Sequence, residues 1–345
     1  MKYTTLPNTD IKISKICLGT MTFGQQNTEA DGHAQMDYAL ENGVNFFDTA
    51  EMYSVPARQE TYGSTEKIIG TWFKKTGKRE EVVLASKIAG PNPNFGYMRE
   101  NVDFSPASIK FALDQSLQRL QTDYVDLYQL HWPERKANFF GQRGFKVQDD
   151  AWEDNIQNVL ETLDGFVKEG KIKHIGLSNE TPWGIMRFLE ESKYQNLPRI
   201  KTVQNPYSLL NRTFEMGSAE VCLRENVGLL AYSPMAFGVL SGKFLSGESH
   251  PNARIKLFPQ FSRYNSAQST EATRLYQEVA RKNGLTLTEM ALAFVTQQAF
   301  VTSTIIGATT IEQLKENITT IDVVLSDEII AEINAIQAVI PDPAP

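Results

Sequence analysis

The chain predicts an α/β protein folded as one (β/α)8 TIM barrel, with an N-terminal β-hairpin and long loops after the fourth and seventh strands. Three observations carry this expectation. Eight short, β-rich apolar runs alternate with longer stretches of helical period. Most of the runs lack polar alternation, as strands buried on both faces of a parallel sheet do. The first strand–helix junction reads Gly19-Thr20-Met21-Thr22-Phe23-Gly24 rather than the Gly-x-Gly-x-x-Gly turn of an open dinucleotide-binding sheet.

The elements follow in order. Tyr3–Ile13 holds a Pro7-Asn8-Thr9-Asp10 turn between short alternating runs and reads as a hairpin over the barrel floor. The eight strand candidates begin at Ile16, Val44, Val82, Tyr124, His174, Lys201, Gly228 and Ser303. Helices are expected at Ala30–Asn42, Ser64–Lys75 and Asn155–Glu169, with Gly43, Gly77 and Gly170 placed for left-handed C-terminal caps. Ser105-Pro106 and Thr181-Pro182 each pair an N-cap with a first-turn proline. Ile109, Ala112, Leu113, Ser116, Leu117 and Leu120 then keep one face to the end of the first of these helices. Thr288-Glu289 is expected to open a helix over Met290–Val295, and Ser326-Asp327-Glu328 the last one.

The 345 residues are taken as a single domain, 1–345, since no Gly/Ser or Pro linker divides them. Lys+Arg number 34 against 41 Asp+Glu, a net charge of −7, which disfavours nucleic acid or an anionic membrane as partner. Two cysteines, Cys17 and Cys222, make no disulfide framework and suit reduced thiols in a cytoplasmic protein. No apolar run approaches the ~20 residues of a membrane span. No metal site is expected, because His33, His131, His174 and His250 show no ligand spacing.

Reactive groups in such a barrel stand at the C-terminal ends of strands. Those ends carry Asp48 and Tyr53 after the second strand, Lys87 at the third and His131 at the fourth. Ser178 and Asn179 follow the fifth, Gln204 the sixth, and Tyr232 and Ser233 the seventh. A phenol is a weak acid at neutral pH, and a neighbouring ammonium stabilises its anion. A carboxylate keeps that ammonium charged, and a histidine adds a hydrogen bond to a carbonyl oxygen. Taken singly, Asp48 also suits a turn, Tyr53 a loop aromatic, and His131 a satisfied half-buried histidine. Their convergence on one face favours the chemical reading. Lys87 also permits a different enzyme, a Schiff-base lyase.

These residues resemble the aldo-keto reductases. The likeness rests on Leu18-Gly19-Thr20-Met21, Phe47-Asp48-Thr49-Ala50-Glu51-Met52-Tyr53, Ala85-Ser86-Lys87, Asp126–Trp132, Ile175–Asn179, Gln204–Tyr207 and Ile306–Thr310. It runs nearly end to end, nearest a bacterial Tas-like branch that lies beside the potassium-channel β subunits. The resemblance implies NADPH-dependent reduction of a small-molecule aldehyde or ketone, with Tyr53 as general acid, Asp48 and Lys87 tuning it and His131 orienting the carbonyl. It implies nicotinamide contacts from Thr20, Met21, Ser178, Asn179, Gln204 and Tyr232. Ser233, Pro234, Met235, Ala236 and Phe237 would pass over the pyrophosphate, with Lys243 and Arg254 as phosphate cations. Gly307, Thr309, Gln313, Glu316 and Asn317 would hold the adenosine end. The channel likeness keeps open a slow, cofactor-binding accessory or redox-sensing subunit, although the channel subunits carry Asn where His131 stands. Substrate choice is expected from the Trp132–Ala151 loop with Phe139, Phe140 and Phe145, and from Phe95, Tyr97, Trp183 and Tyr207.

Overall fold

A computed structural model describes residues 1–145 and 152–345; residues 146–151, the end of the predicted pocket loop, lie outside it. The chain opens with an antiparallel hairpin of β1 (Tyr3–Thr5) and β2 (Lys12–Ser14). Eight parallel strands then close a barrel: β3 (Ile16–Gly19), β4 (Phe46–Asp48), β5 (Val83–Ile88), β6 (Val125–Leu130), β7 (Ile172–Ser178), β8 (Thr202–Pro206), β9 (Gly228–Tyr232) and β10 (Val301–Ile306). Each strand pairs with the next, and β10 returns to β3. The predicted (β/α)8 barrel is therefore the observed fold.

Two of the three apolar clusters among the described residues build the barrel; the third, around Phe95, Met98 and Trp132, lies beside a cleft. Cys17, Phe46, Ala85, Leu127, Leu230 and Ile305 fill the barrel interior. Leu6 and Ile13 of the hairpin join them at 0% exposure, so the hairpin closes one end with side chains as expected. The second core lies between the strands and the helices outside them, with Trp72 and Phe47 tilted together 5.9 Å apart. Truncating fully buried Trp72 to Ala would cost about 3–5 kcal/mol.

The helices are α1 (Glu29–Glu41), α2 (Ser64–Thr76), α3 (Pro106–Leu120), α4 (Ile156–Lys168), α5 (Pro182–Tyr194), α6 (Ser218–Glu225), α7 (Arg254–Leu257), α8 (Ala267–Lys282), α9 (Leu287–Thr296), α10 (Ile311–Thr319) and α11 (Asp327–Val339). Ser105, Thr181 and Ser326 cap α3, α5 and α11 as the sequence predicts. The start of α9 differs from the expectation. Thr286, not Thr288, is the cap, because Glu289 returns a bond to the Thr286 N–H and completes a capping box. At Gly70 a Cβ would lie 2.1 Å from the Arg119 carbonyl, so α2 and α3 approach there only through a glycine.

Candidate active site

The four residues expected to be catalytic lie near the C-terminal ends of strands β4, β5 and β6. β4 finishes at Asp48, but its ladder with β5 continues through Thr49 N–H to Ala85 O (2.9 Å) and Glu51 N–H to Lys87 O (3.1 Å). The Tyr53 N–H instead turns back to Ala50 O, and the phenol lines a cleft of about 1680 Å3. That is beyond the ~300–1,000 Å3 of an ordinary ligand pocket and leaves space for a dinucleotide and a second molecule. Lys87 is fully buried and does not line the cleft. Its ammonium donates to Asp48 Oδ2 at 2.6 Å and to Thr49 O at 2.7 Å, and stands 4.9 Å from the Tyr53 ring centre. The other Asp48 oxygen accepts from Gln204 at 2.8 Å and Gln129 at 3.2 Å. His131, the first residue past β6, packs edge-on to Tyr53 with ring centres 5.7 Å apart. Its Nδ1 is buried without a hydrogen-bond partner among the described residues.

The electrostatics follow from burial and neighbours. Burial raises the Tyr53 pKa; Lys87 pulls it down, and Asp48 pushes it up. Burial works against the Lys87 ammonium, yet Asp48 and Tyr53 outweigh it and raise its pKa. Burial, and then the Lys87 charge, hold His131 well below the usual histidine range, so its imidazole is neutral near pH 7.

Most residues expected to contact a cofactor line this same cleft: Thr20, Met21, Ser178, Asn179, Gln204, Tyr232, Ser233, Pro234, Met235, Phe237, Lys243, Arg254, Gly307, Thr309, Gln313, Glu316 and Asn317. Ala236 is the exception. It points into the outer core at 0% exposure, so only its backbone belongs to the turn. That turn carries positive φ at Ser233, Ala236, Phe237 and Gly238. Backbone of this kind can present N–H groups to an anion; here the Ala236 and Gly238 N–H groups are bonded within the turn, to Ser233 O and Met235 O. Lys243 folds back over it, its Nζ 3.5 Å from where a Cβ of Gly238 would sit. Arg254 bonds Gln26 Oε1 at 3.3 Å and Met21 Sδ at 3.4 Å, and lies 5.2 Å from the centre of the Phe237 ring. Burial pushes its guanidinium down to about 10, leaving it charged at neutral pH. The loop after β9 thereby meets the loop after β3. Tyr232 donates to Asn179 Oδ1 at 2.7 Å, and Asn179 donates to His131 O at 2.9 Å, joining three strand ends.

The pocket aromatics are partly revised. Phe95, Phe139 and Phe140 line the cleft together with Trp132, but Phe145, Tyr97, Trp183 and Tyr207 do not. Tyr207 is a core residue stacked on Phe294, with its hydroxyl bonded to Glu215. Trp183 faces solvent beside Arg135, and Phe145 is 72% exposed. Tyr97 packs edge-on to Tyr62 and Phe95. Sequence reasoning passed over Gln129 and Arg263. Gln129 signalled itself as a polar residue inside an apolar strand. Arg263 lines the cleft within electrostatic reach of Tyr232, yet no local pattern separates it from other loop arginines.

Comparison with known proteins identifies the family. The profile described as the Aldo/keto reductase family matches residues 15–338. The chain is 49% identical over 346 residues to Protein tas of Escherichia coli strain K12, covering 100% of both chains. It is 35% identical over 339 residues to the uncharacterized oxidoreductase YrpG of Bacillus subtilis strain 168, covering 97% of this chain and 96% of that one. It is 28% identical over 319 residues to the aldo-keto reductase yakc of Schizosaccharomyces pombe, whose name carries the label NADP(+), covering 92% and 85%. With a closed barrel, a Tyr–Lys–Asp–His set at its mouth and a family match over nearly its whole length, this chain belongs to the aldo/keto reductase family.

Proposed function

We propose that the protein is an NADPH-dependent carbonyl reductase acting on aldehydes and activated ketones. The observation that carries the reading is the Tyr53 phenol on the cleft wall with the 2.6 Å Lys87–Asp48 pair buried beneath it. A bound NADPH supplies hydride to the carbonyl carbon. Tyr53 donates the proton to the carbonyl oxygen. Lys87 stabilises the phenolate left behind, and Asp48 holds Lys87 charged and in place. Neutral His131 hydrogen-bonds the substrate oxygen and so orients it.

The chain's residues fit this cofactor. The cleft volume, the positive-φ turn at Ser233–Gly238, and Lys243 and Arg254 beside it suit a phosphate-bearing dinucleotide. Ser178, Asn179, Gln204 and Tyr232 would hold the nicotinamide, with Thr20 and Met21 beside it. Gly307, Thr309, Gln313, Glu316 and Asn317 would hold the adenosine, where the capped N-terminus of α10 opens. Arg254 and Lys243 are the cations for the phosphates, and two of them favour NADPH over NADH. The name of the yeast relative supports the same cofactor. The Schiff-base alternative loses support, because Lys87 lies off the cleft and stays protonated. The test is NADPH fluorescence on titration with protein, then a panel of aldehydes and quinones. Absence of binding, or binding with no oxidation of NADPH on any carbonyl, would overturn the reading.

A further inference from the structure

A buried ion pair beside the catalytic set has no part in the chemistry above. Glu51 is 0% exposed and Arg99 8%. Arg99 Nη1 donates to both carboxylate oxygens, at 2.8 and 3.0 Å. The pair also holds one residue, Ala89, through both of its backbone polar groups. Glu51 Oε1 accepts the Ala89 N–H at 2.7 Å, and Arg99 Nη2 donates to the Ala89 carbonyl at 3.1 Å.

The location gives this grip its meaning. The β4–β5 ladder runs on through Thr49 to Ala85 and Glu51 to Lys87. By the same two-residue step, the next rung would join Tyr53 to Ala89. The Tyr53 N–H turns away to Ala50 O, so Arg99 donates to the Ala89 carbonyl in its place, while the Ala89 N–H donates to the Glu51 carboxylate. Glu51 is two positions from Tyr53, and the residue the pair holds is two positions from Lys87. Arg99 adds a third piece. It ends the segment whose Pro91–Phe95 stretch lines the cleft.

Stability alone gives a poor reason for this arrangement. A buried ion pair commonly stabilises no better than apolar residues of similar volume. Here Arg99 Nε has no hydrogen-bond partner among the described residues, and burial raises the Glu51 carboxyl pKa despite the pull of Arg99.

We propose that Glu51 and Arg99 are positioning residues: their side chains complete the β4–β5 ladder and so hold the Tyr53 phenol, the Lys87 ammonium and the Pro91–Phe95 wall in register. The inference rests on Tyr53 as proton donor.

The test uses the full-length protein with Arg99→Lys, the double variant Glu51→Leu/Arg99→Met, and Tyr53→Phe as control. Arg99→Lys keeps the charge facing Glu51 but loses the second nitrogen that reaches Ala89. Its kcat should fall about 10- to 100-fold, as small misplacements of reacting groups do. The affinity for NADPH, read by fluorescence, should stay at the wild-type value. The isotope effect with deuterated NADPH should rise, because the chemical step becomes limiting. In the cofactor-free protein, amide hydrogen exchange at Ala89 should quicken. The double variant buries no charge and tests the same rung without an orphaned ion. Either variant with wild-type kcat per folded molecule, even at a lower Tm, would overturn the inference, as would unchanged exchange at Ala89 in Arg99→Lys. Full turnover in Tyr53→Phe would instead remove the parent reading and leave the exchange result standing, so the two failures are distinguishable.

Discussion

Replacing Lys87 with Met separates what this lysine does for catalysis from what it does for the fold. Its ammonium is fully buried, 2.6 Å from Asp48 and 4.9 Å from the Tyr53 ring centre. A unit charge about 5 Å from a developing phenolate contributes roughly 3 kcal/mol at an effective dielectric of ~20. That corresponds to a loss of about two orders of magnitude in the chemical step. The fold suffers separately, because Asp48 is left as a buried charge with only Gln129 and Gln204 as side-chain donors. Breaking a buried pair in this way costs about 3–5 kcal/mol. The double variant Asp48→Asn/Lys87→Met removes the orphaned charge and should regain much of that stability, but none of the rate. Single-turnover oxidation of NADPH by an aldehyde reads the first quantity, and urea unfolding reads the second. Wild-type turnover in Lys87→Met, or a double variant that recovers rate along with stability, would refute the reasoning.

Further outcomes can be measured on the same protein. Tyr53→Phe should abolish most turnover and leave NADPH affinity nearly unchanged; equal activity would end its assignment as proton donor. Arg254→Ala should weaken NADPH more than NADH, and an equal loss for both would show that Arg254 does not read the 2′-phosphate. His131 titrates well below its ordinary value of 6.5 when folded, so below that pH the unfolded chain binds the extra proton. Stability from this residue is complete above pH 6.5 and declines on acidification towards the folded pKa. Against His131→Gln, the wild type should lose up to about 1.4 kcal/mol per pH unit in that window. Parallel urea curves for the two proteins across it would contradict the shift.

The barrel was legible because buried parallel strands are apolar throughout, and all eight appear where the runs predicted them. Their ends were less legible, for one physical reason. The run from Val82 broke at Ser86-Lys87, but pairing continues to Ile88; the run from Tyr124 stopped before Gln129, but pairing reaches Leu130. Hydropathy falls at these polar residues, whereas the backbone ladder does not. The four residues expected to be catalytic stood out by converging on the strand-end face; taken singly, only Lys87 was hard to explain structurally. Arg263 and the Glu51–Arg99 pair did not, because their roles depend on contacts across as many as 48 sequence positions or on loop shape. The long helix α8 was missed because its inward face is made of Ser269, Ala272, Thr273, Tyr276 and Ala280, which give no strong apolar stripe. Tyr207 and Trp183 show the converse error: aromatic character alone does not say whether a ring meets core, solvent or cleft.

If the protein reduces aldehydes as proposed, the seclusion of Lys87 has a chemical consequence. Aldehydes condense with free amines, and a catalytic lysine open to the cleft would be captured by the compound it helps to reduce. Here the amine is 0% exposed, raised in pKa, and engaged by Asp48 and the Thr49 carbonyl. A protonated amine has no lone pair to attack with, and the substrate meets the phenol instead. In the proposed reaction the arrangement would lend the charge of the lysine while withholding its nucleophilicity, which would protect the enzyme from poisoning by its own substrates.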